Sequence, residues 1–361
     1  ERKLQLRGGI GHFLGRAPWV IFSNSFGQTG VGGFTLSSPA GELPSSFAQY
    51  LSQEFDANDP IGTGVDNPNL RREINWVDSD IEMPQVWRAN LGLDYKLSFL
   101  DSTISAELVH TRVDQALFIT NENLKRSGAP AADGRTRFSG TPGAASAPGN
   151  ALYPEFLNLF RISNTSAGES TYFYLQWDRP MKNRWGFTAA YIHGSASEAQ
   201  AIGQTTAGGQ WNRNVVFNQN TVEEGTADFE VKHRVTLSAS REFEFVRNAP
   251  TVISLYYEGR TGNPYSWVYS GDLNGDGNSD NDTVAVPNGR DDPRFDFSAM
   301  TAAQLDNYFA FLDASGLSEY AGGIAPKNAW TEPWMNRLDL HVEQIIPTGG
   351  TLFFPRLVNQ Y

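Results

Sequence analysis

The feature that most constrains this chain is an alternation of apolar and polar residues that recurs along its length. Between residues 89 and 98, Leu91 and Leu93 fall on one side while Asp94 and Lys96 fall on the other. Successive side chains of a strand point to opposite faces, so this period of two predicts strands with one apolar and one polar face. The same pattern recurs in segments 171–178, 184–191, 232–240 and 337–343. A soluble β-sandwich shows the same alternation, and the pattern alone leaves that class open.

The connections between the alternating segments separate the two classes. We predict nine strands, at 3–13, 88–98, 103–119, 170–180, 184–196, 228–243, 251–259, 334–346 and from Thr351 onward. Short turns at 99–102, 181–183, 244–250 and 347–350 alternate with long polar segments at 24–86, 121–169, 198–227 and 260–333. Loops longer than about 15 residues are uncommon in compact soluble domains, whereas outer-membrane barrels combine short periplasmic turns with long extracellular loops. The sequence therefore predicts an all-β, antiparallel transmembrane β-barrel with the long segments extracellular.

The number of strands predicts that chain 1–361 is a portion of a larger barrel. Bacterial single-chain barrels have an even number of strands, and lipid tolerates no open sheet edge. Nine strands cannot satisfy both conditions. The chain also opens at Glu1, with neither an initiator Met nor a signal peptide, so we expect a processed or truncated product.

In such a barrel the two faces of each strand meet different surroundings. The apolar side is expected to contact lipid and the polar side to line the lumen. The expected lipid-facing residues are Leu91, Leu93, Leu237, Leu338 and Leu340. The expected lumen-facing residues are Lys232, Arg234, Arg337, Asp339 and Glu343. These polar side chains can form hydrogen bonds with water or with a plug inside the barrel.

Composition excludes several classes of function. The chain has 28 Lys and Arg against 40 Asp and Glu, and its net charge of −12 has the wrong sign for a nucleic-acid partner. It has no cysteine, so a disulfide scaffold, a thiolate metal site and a cysteine nucleophile are excluded. No window approaches the roughly 18 apolar residues of a membrane-spanning helix. The five histidines are scattered singly, and no phosphate-binding loop or nucleophile elbow is present, so we expect no enzyme activity.

Two of the long segments contain helical patterns. Thr301 and Gln304 form a candidate capping box, which is followed by apolar residues at helical spacing up to Gly316. A second helical pattern runs over residues 46–55. Both are expected to be short amphipathic helices that fold the loops onto each other.

One loop has the residue types of a calcium-binding loop. Asp272, Asn274 and Asp276 lie at alternate positions and a glycine follows, which matches the start of an EF-hand-type set of oxygen ligands. Asp280 is a further candidate ligand. The twelfth position of the pattern lacks the usual glutamate, and no helix is predicted beside the loop. Because the same residues also form polar Asx turns without an ion, Ca²⁺ binding and an ordinary turn both remain open.

A set of short segments follows an order and a spacing typical of one receptor family. The segments are LRGGIGHFLGRAP (6–18) running on to SNSF (23–26), PQVWR (84–88), TRVDQALF (111–118), NTS (164–166), YYEGRTGNPY (256–265), GDLNGDG (271–277) and PWMNRLDL (333–340). Together they resemble the C-terminal barrel of an Oar-like TonB-dependent outer-membrane receptor, over nearly the whole chain up to Phe354. Residues 355–361 depart from the family pattern, because Pro355 interrupts the last strand.

The resemblance implies a barrel of 22 strands in the outer membrane of a Gram-negative bacterium. It also implies an N-terminal plug, a segment that contacts the TonB complex and often a regulatory-like β-sandwich domain, none of which lies within this chain. Such a receptor binds its ligand at the loops and plug apex and imports it with energy delivered through TonB. The family's association with polypeptides favours peptide or protein cargo, with glycan and siderophore open. The competing functions are a passive porin, a loop-presenting surface adhesin and a secreted soluble β-protein.

Overall fold

The main feature of the fold is one antiparallel sheet of long strands. The computed structural model describes residues 3–16, 18–29, 72–138, 151–154 and 156–346. Eight long strands form the sheet: β1 (Leu4–Leu14), β3 (Gln85–Leu97), β4 (Ser102–Asn121), β6 (Gly168–Lys182), β7 (Trp185–Glu198), β9 (His233–Val246), β10 (Ala249–Arg260) and β13 (Met335–Gln344). They are hydrogen-bonded in the order β1-β3-β4-β6-β7-β9-β10-β13, and every one of these pairs is antiparallel. The expected all-β antiparallel sheet is confirmed.

These eight strands overlap eight of the nine strands that the alternation predicts, with ends that differ by a few residues. The ninth, from Thr351, and the turn at 347–350 lie outside the described residues. Within the part of the chain that the structure describes, the sheet is not closed, and β1 and β13 form its two edges.

The short connections lie at one end of the sheet, and two of them are tighter than predicted. Asn183 and Arg184 alone connect β6 to β7, with φ of 53° and 69°. A two-residue hairpin turn with positive φ at both positions matches the right-handed twist of the strands it joins. Arg247 and Asn248 connect β9 to β10, so the turn predicted at 244–250 is shorter than expected.

The register places apolar residues opposite apolar residues across the sheet. Leu93 of β3 pairs with Ala106 of β4. Leu237 of β9 pairs with Tyr257 of β10, which pairs in turn with Leu338 of β13. Directly opposite residues of an antiparallel pair point to the same face. The sheet therefore has one continuous apolar face and one polar face.

Two segments that we predicted as long loops contain strands of six residues or more, which corrects the prediction. β2 (Arg72–Val77) lies within 24–86, and β5 (Phe156–Thr165) lies within 121–169. β5 is parallel to β2 and antiparallel to the end of β4, beginning at Ala116. The reason is the length of β4, which has 20 residues. A barrel strand crosses a bilayer in about 9–11 residues, and the remainder of β4 is free to pair with a strand from a loop.

These loop strands enclose a hydrophobic core outside the main sheet. The core joins α1 (Trp19–Gly27), α2 (Ala207–Asn212) and the adjoining parts of β4 and β5. Its buried residues are Ile21, Phe22, Leu117, Ile119, Phe160, Ile162, Ala207 and Trp211. Neither helix is predicted by the sequence pattern. The described parts of the first three long connections thus share a core of their own.

The connection 260–333 has a second small core around α3 (Ala302–Ala314). The Thr301 hydroxyl accepts a hydrogen bond from the Gln304 backbone N–H, and the Gln304 side chain accepts one from the Thr301 N–H. The predicted capping box and helix are therefore present, whereas the pattern at 46–55 lies outside the described residues. Four residues are buried in this core: Val286, Leu312, Leu317 and Ala325.

The remaining short elements are β8 (Gly225–Thr226), β11 (Pro264–Tyr265), β12 (Trp330–Thr331) and the 3₁₀ turns Phe99–Asp101 and Leu317–Tyr320. Among the described residues, no helix has the length and apolar composition needed to cross a membrane.

Candidate functional site

The apolar face of the sheet is exposed in the described part of the chain. Leu91 is 58% exposed, Leu338 66% and Leu340 68%. Leu93 and Leu237 lie on the same face by register. Monomeric soluble proteins rarely expose a contiguous apolar patch larger than a few hundred Å². The five leucines predicted to contact lipid therefore share a face that requires apolar surroundings.

Aromatic side chains form a band across the apolar face near the short turns. Trp177 packs edge-on against Phe187 with ring centres 4.8 Å apart, and Trp185 stacks on Phe187 at 6.0 Å. Phe243 and Phe245 of β9 stack at 5.2 Å and extend the band. Aromatic girdles of this kind are typical of the levels at which a transmembrane barrel meets lipid headgroups.

The opposite face carries charged residues that pair between strands. Arg234 of β9 contacts Glu258 of β10 at 2.8 Å (Nη2–Oε1), and Arg7 of β1 contacts Glu107 of β4 at 2.8 Å (Nη2–Oε2). Four of the residues predicted to face the lumen lie on this polar face: Arg234, Arg337, Asp339 and Glu343. Lys232 immediately precedes β9 and lies outside the strand. Both ion pairs are partly exposed, so each contributes modestly to stability.

At the other end of the sheet, Arg135 joins three of the long connections. Its side chain is fully buried and donates hydrogen bonds to Asp133 Oδ2 at 2.7 Å, Asp282 Oδ1 at 2.9 Å and the Thr283 carbonyl at 2.7 Å. The guanidinium carbon also lies 4.9 Å from the ring centre of Phe217, which belongs to the connection between β7 and β9. A buried guanidinium is stable only when its donors are satisfied by acceptors. Arg135 therefore joins the described parts of the long connections 121–169, 198–227 and 260–333 into one packed assembly, which we call the loop assembly.

Side-chain amides hold the same assembly to the end of β4. The Asn121 backbone N–H donates to Asn220 Oδ1 at 2.8 Å, and Asn220 Nδ2 donates to the Asn121 carbonyl at 2.7 Å. Gln200 Oε1 accepts a hydrogen bond from the Ile119 N–H at 2.8 Å. These amides satisfy backbone groups of β4 that would otherwise be buried without a partner. The loop assembly is thereby attached to the sheet through specific hydrogen bonds.

The predicted calcium loop is a compact turn within the loop assembly. Asp272 accepts hydrogen bonds from the Gly275 N–H at 2.6 Å and the Gly277 N–H at 2.9 Å. Asp276 Oδ1 accepts one from the Asn278 N–H at 2.8 Å. These are the side chain-to-backbone bonds of Asx turns, which the same residue types form without an ion.

Three of the four predicted ligands lie together, and the fourth lies apart. Asn274 Nδ2 donates to Asp276 Oδ2 at 3.1 Å and to Asp282 Oδ1 at 2.8 Å. Burial raises the pKa of Asp276 to about 7, and the nearby carboxylates of Asp272 and Asp282 act in the same direction. Asp280 instead accepts a hydrogen bond from the Gly271 N–H at 3.2 Å. Within the described ranges, no three His, Asp or Glu side chains form a group that could hold a metal ion. Calcium binding remains a prediction.

A cavity of about 750 Å³ opens in the loop assembly beside α2. Its polar lining includes the side chains of Gln204, Gln210, Asn212, Asn214, Asn278 and Lys327. The Lys327 ammonium is nearly buried, and it donates to the Asn214 Oδ1 at 3.3 Å and to the Ala199 carbonyl at 3.4 Å. Asp228 lies 3.9 Å from the same ammonium. The cavity thus offers amide donors and acceptors together with one cation, which is a suitable lining for a polar ligand.

Comparison with known proteins identifies the family of the chain. A family model described as an outer membrane beta barrel domain matches residues 1–354. The chain belongs to this family. The barrel domain is therefore located in the outer membrane of a Gram-negative bacterium, and its antiparallel strands are transmembrane strands surrounded by lipid. No curated protein and no solved structure matches the chain.

Sequence reasoning missed the residues that organise the loop assembly of the barrel domain. Arg135 lies in a stretch rich in Gly, Ala and Asp, where an isolated arginine is ordinarily solvated. Lys327 and Asn220 likewise belong to no recognisable motif. No local pattern could have identified them, because their roles depend on partners from other connections.

Proposed function

We propose that the barrel domain belongs to a TonB-dependent receptor that binds a ligand at its extracellular loops and imports it across the outer membrane. The observation that carries the proposal is the loop assembly, in which Arg135 joins three long connections at the end of the sheet opposite the short turns. Binding sites are commonly built on loops that a rigid scaffold positions. Loops that only connected strands would not require a buried ionic centre or a core of their own.

The two faces of the sheet support a division of roles. The apolar face contacts lipid through Leu91, Leu93, Leu237, Leu338 and Leu340. The polar face lines the lumen, where charged residues such as Arg234 and Arg337 form hydrogen bonds with an N-terminal plug or with water. Movement of that plug, driven through the TonB complex, would open the path for the ligand. In this proposal the chain has no catalytic role.

Peptide or protein is the cargo that the cavity favours. A polypeptide backbone presents N–H donors and carbonyl acceptors in every residue. The amides of Asn212 and Gln204 can both donate and accept, so one lining serves many peptide sequences. The cavity volume of about 750 Å³ lies within the range of ordinary ligand sites.

The proposal is tested by uptake into cells that express the full-length protein. Fluorescein-labelled peptides from a tryptic digest of casein serve as the probe, and periplasmic fluorescence is measured after protease has removed peptide bound at the surface. We expect accumulation that a protonophore abolishes, because TonB uses the proton gradient of the inner membrane. Uptake that persists with protonophore would indicate a passive porin, and surface binding without accumulation would indicate an adhesin.

A pair of amide variants separates binding in the cavity from nonspecific effects. Asn212→Ala removes a cavity-lining amide whose side chain forms no hydrogen bond with the described residues. Asn307→Ala removes an exposed amide of α3 that lies outside the cavity. Peptide uptake should fall several-fold in the first variant and stay unchanged in the second. Equal uptake in both variants would place the binding site elsewhere.

Calcium is proposed as a stabilising ion of the loop that borders this cavity. The amide nitrogen of Asn274 lies between Asp276 and Asp282, so calcium binding requires this amide to turn its oxygen inward. In a structure determined with millimolar calcium, oxygens of Asp272, Asn274 and Asp276 should converge on one ion at about 2.3–2.6 Å. Side chains that keep the hydrogen bonds of the Asx turns under those conditions would contradict the proposal.

A further inference from the structure

A groove runs along β9 on the apolar face of the sheet. Ala239 forms its floor, because this small residue lies directly between Phe187 of β7 and Leu255 of β10. The groove has a volume of about 760 Å³, and Leu237, Phe243 and Ile253 complete its apolar lining. An apolar groove with a small residue at its floor is a suitable surface for an alkyl chain.

Arg241 lies at the end of this groove nearest the short turns. It is two residues from Ala239 and therefore on the same face, directly opposite Trp185 and Ile253. Its exposed guanidinium lies 5.2 Å from the ring centre of Phe243 and forms no ion pair with any described residue. The groove thus combines apolar walls with one unpaired cation.

Two other arginines near these turns contact neighbouring groups of the protein, and the exposed Arg247 of the β9–β10 turn does not line the groove. Arg179 lies on the apolar face but is buried, with its guanidinium carbon 3.6 Å from the ring centre of Trp185, and it donates to the carbonyls of Lys182 and Trp185. Arg184 lies on the polar face, where its Nη2 contacts Glu244 Oε2 at 2.8 Å. Arg241 differs from both because no acceptor from the described chain reaches it.

We propose that this groove binds a phospholipid of the periplasmic leaflet, with the lipid phosphate at Arg241 and one acyl chain along Ala239. The inference rests on the proposed orientation, in which the short turns are periplasmic. A guanidinium can contact a phosphate group through two parallel hydrogen bonds. The aromatic band places Arg241 at headgroup level, where an arginine on the lipid face is tolerated and can meet a phosphate. Asn183, at the mouth of the groove, supplies an amide for the same headgroup.

The test compares two lipids that differ only in the headgroup. The full-length protein is purified in detergent and incubated with dioleoyl phosphatidylglycerol or with dioleoylglycerol, which has the same acyl chains and no phosphate. Native mass spectrometry measures the fraction of protein that retains each lipid. We expect retention of the phosphatidylglycerol and little retention of dioleoylglycerol.

Variants locate the binding on the protein. Arg241→Gln should lower phosphatidylglycerol affinity about tenfold, because it removes a charge-assisted contact to the phosphate. Ala239→Phe should lower it by filling the groove while Arg241 stays in place. Arg184→Gln is the matched control, since it removes the same charge at the same end of the sheet but on the other face. Slower migration after heating in SDS gels confirms that each variant is a folded barrel before the measurement.

Each result decides for or against the groove. Retention that falls in Arg241→Gln and Ala239→Phe but not in Arg184→Gln supports the proposal. Unchanged retention in Arg241→Gln overturns it, as does an equal loss in Arg184→Gln, which would reflect net charge alone. Equal retention of dioleoylglycerol would also overturn it, because the phosphate would then contribute nothing. Peptide uptake is measured separately, so failure here leaves the proposed transport function unaffected.

Discussion

Replacing Arg135 with alanine should loosen the loop assembly while the sheet stays folded. The buried guanidinium donates to Asp133, Asp282 and Thr283 at 2.7–2.9 Å. Removing one partner of a buried ion pair costs about 3–5 kcal/mol, because the remaining charge is left uncompensated. Asp282 is only 1% exposed, so solvent cannot replace the lost donor. Since all of these contacts lie within the loop assembly, we expect the substitution to destabilise the loop assembly and to leave the stability of the sheet unchanged.

The same substitution should make loop stability depend on pH through Asp282. Burial already raises the pKa of Asp282, and Arg135 opposes that rise. Without Arg135 the pKa in the folded state rises further above its unfolded value. A carboxyl group of this kind favours the folded state at low pH, and this stability is lost as the pH increases. The loss caused by Arg135→Ala should therefore be larger at pH 8 than at pH 5.

Hydrogen–deuterium exchange of the full-length protein in detergent measures both effects. Backbone amides in peptides from 121–138 and 267–283 should exchange about 100-fold faster or more in Arg135→Ala, while peptides from β6 and β10 should be unchanged. Arg137→Ala is the matched control, because this arginine is two residues away and exposed, and its side chain forms no hydrogen bond or ion pair in the described chain. Unchanged loop exchange, or equal loosening of the strands, would refute the reasoning.

Three further predictions address the membrane face, the topology and the acidic loop. Leu93→Arg should destabilise the barrel by about 2–4 kcal/mol if residue 93 lies near the bilayer midplane, whereas Asp94→Asn should have little effect in the same urea unfolding experiment. Because the chain has no cysteine, single-cysteine variants can be labelled cleanly, and a membrane-impermeant maleimide applied to intact cells should label Asn212→Cys but not Asn183→Cys. The reverse labelling would invert the assigned orientation. The pKa of Asp276 is raised to about 7, so loop stability should decrease as the pH rises from about 4 to 7. Asp276→Asn should remove this pH dependence when hydrogen–deuterium exchange of the loop is measured over the same pH range. A pH profile that is the same in the variant and in the unmodified protein would contradict the prediction.

The sequence by itself determined the strands and the face that each side chain occupies. Leu91 and Leu237 could be assigned to one face because a strand has a period of two whichever strand it pairs with. The helix after Thr301 could be predicted for a similar reason, since a capping box needs only residues within one helical turn. Short turns and long connections also followed from the spacing of the alternating segments. These features depend on neighbours in the chain, which a sequence shows directly.

Only the tertiary structure decided which distant residues meet. Arg135 contacts Asp282, which is 147 positions away, and nothing near either residue indicates the other. β5 escaped prediction because it pairs with the end of β4 and with β2, in a region where barrel periodicity no longer applies. The acidic residues around Asp276 form turns that the sequence indicated, yet the burial that raises the pKa of Asp276 arises only in the folded loop assembly, where Phe138 of another connection donates a backbone hydrogen bond to Asn274. Local periodicity depends only on residues that are adjacent in the chain. The pairing of distant strands and the burial of side chains arise only when separate connections pack together.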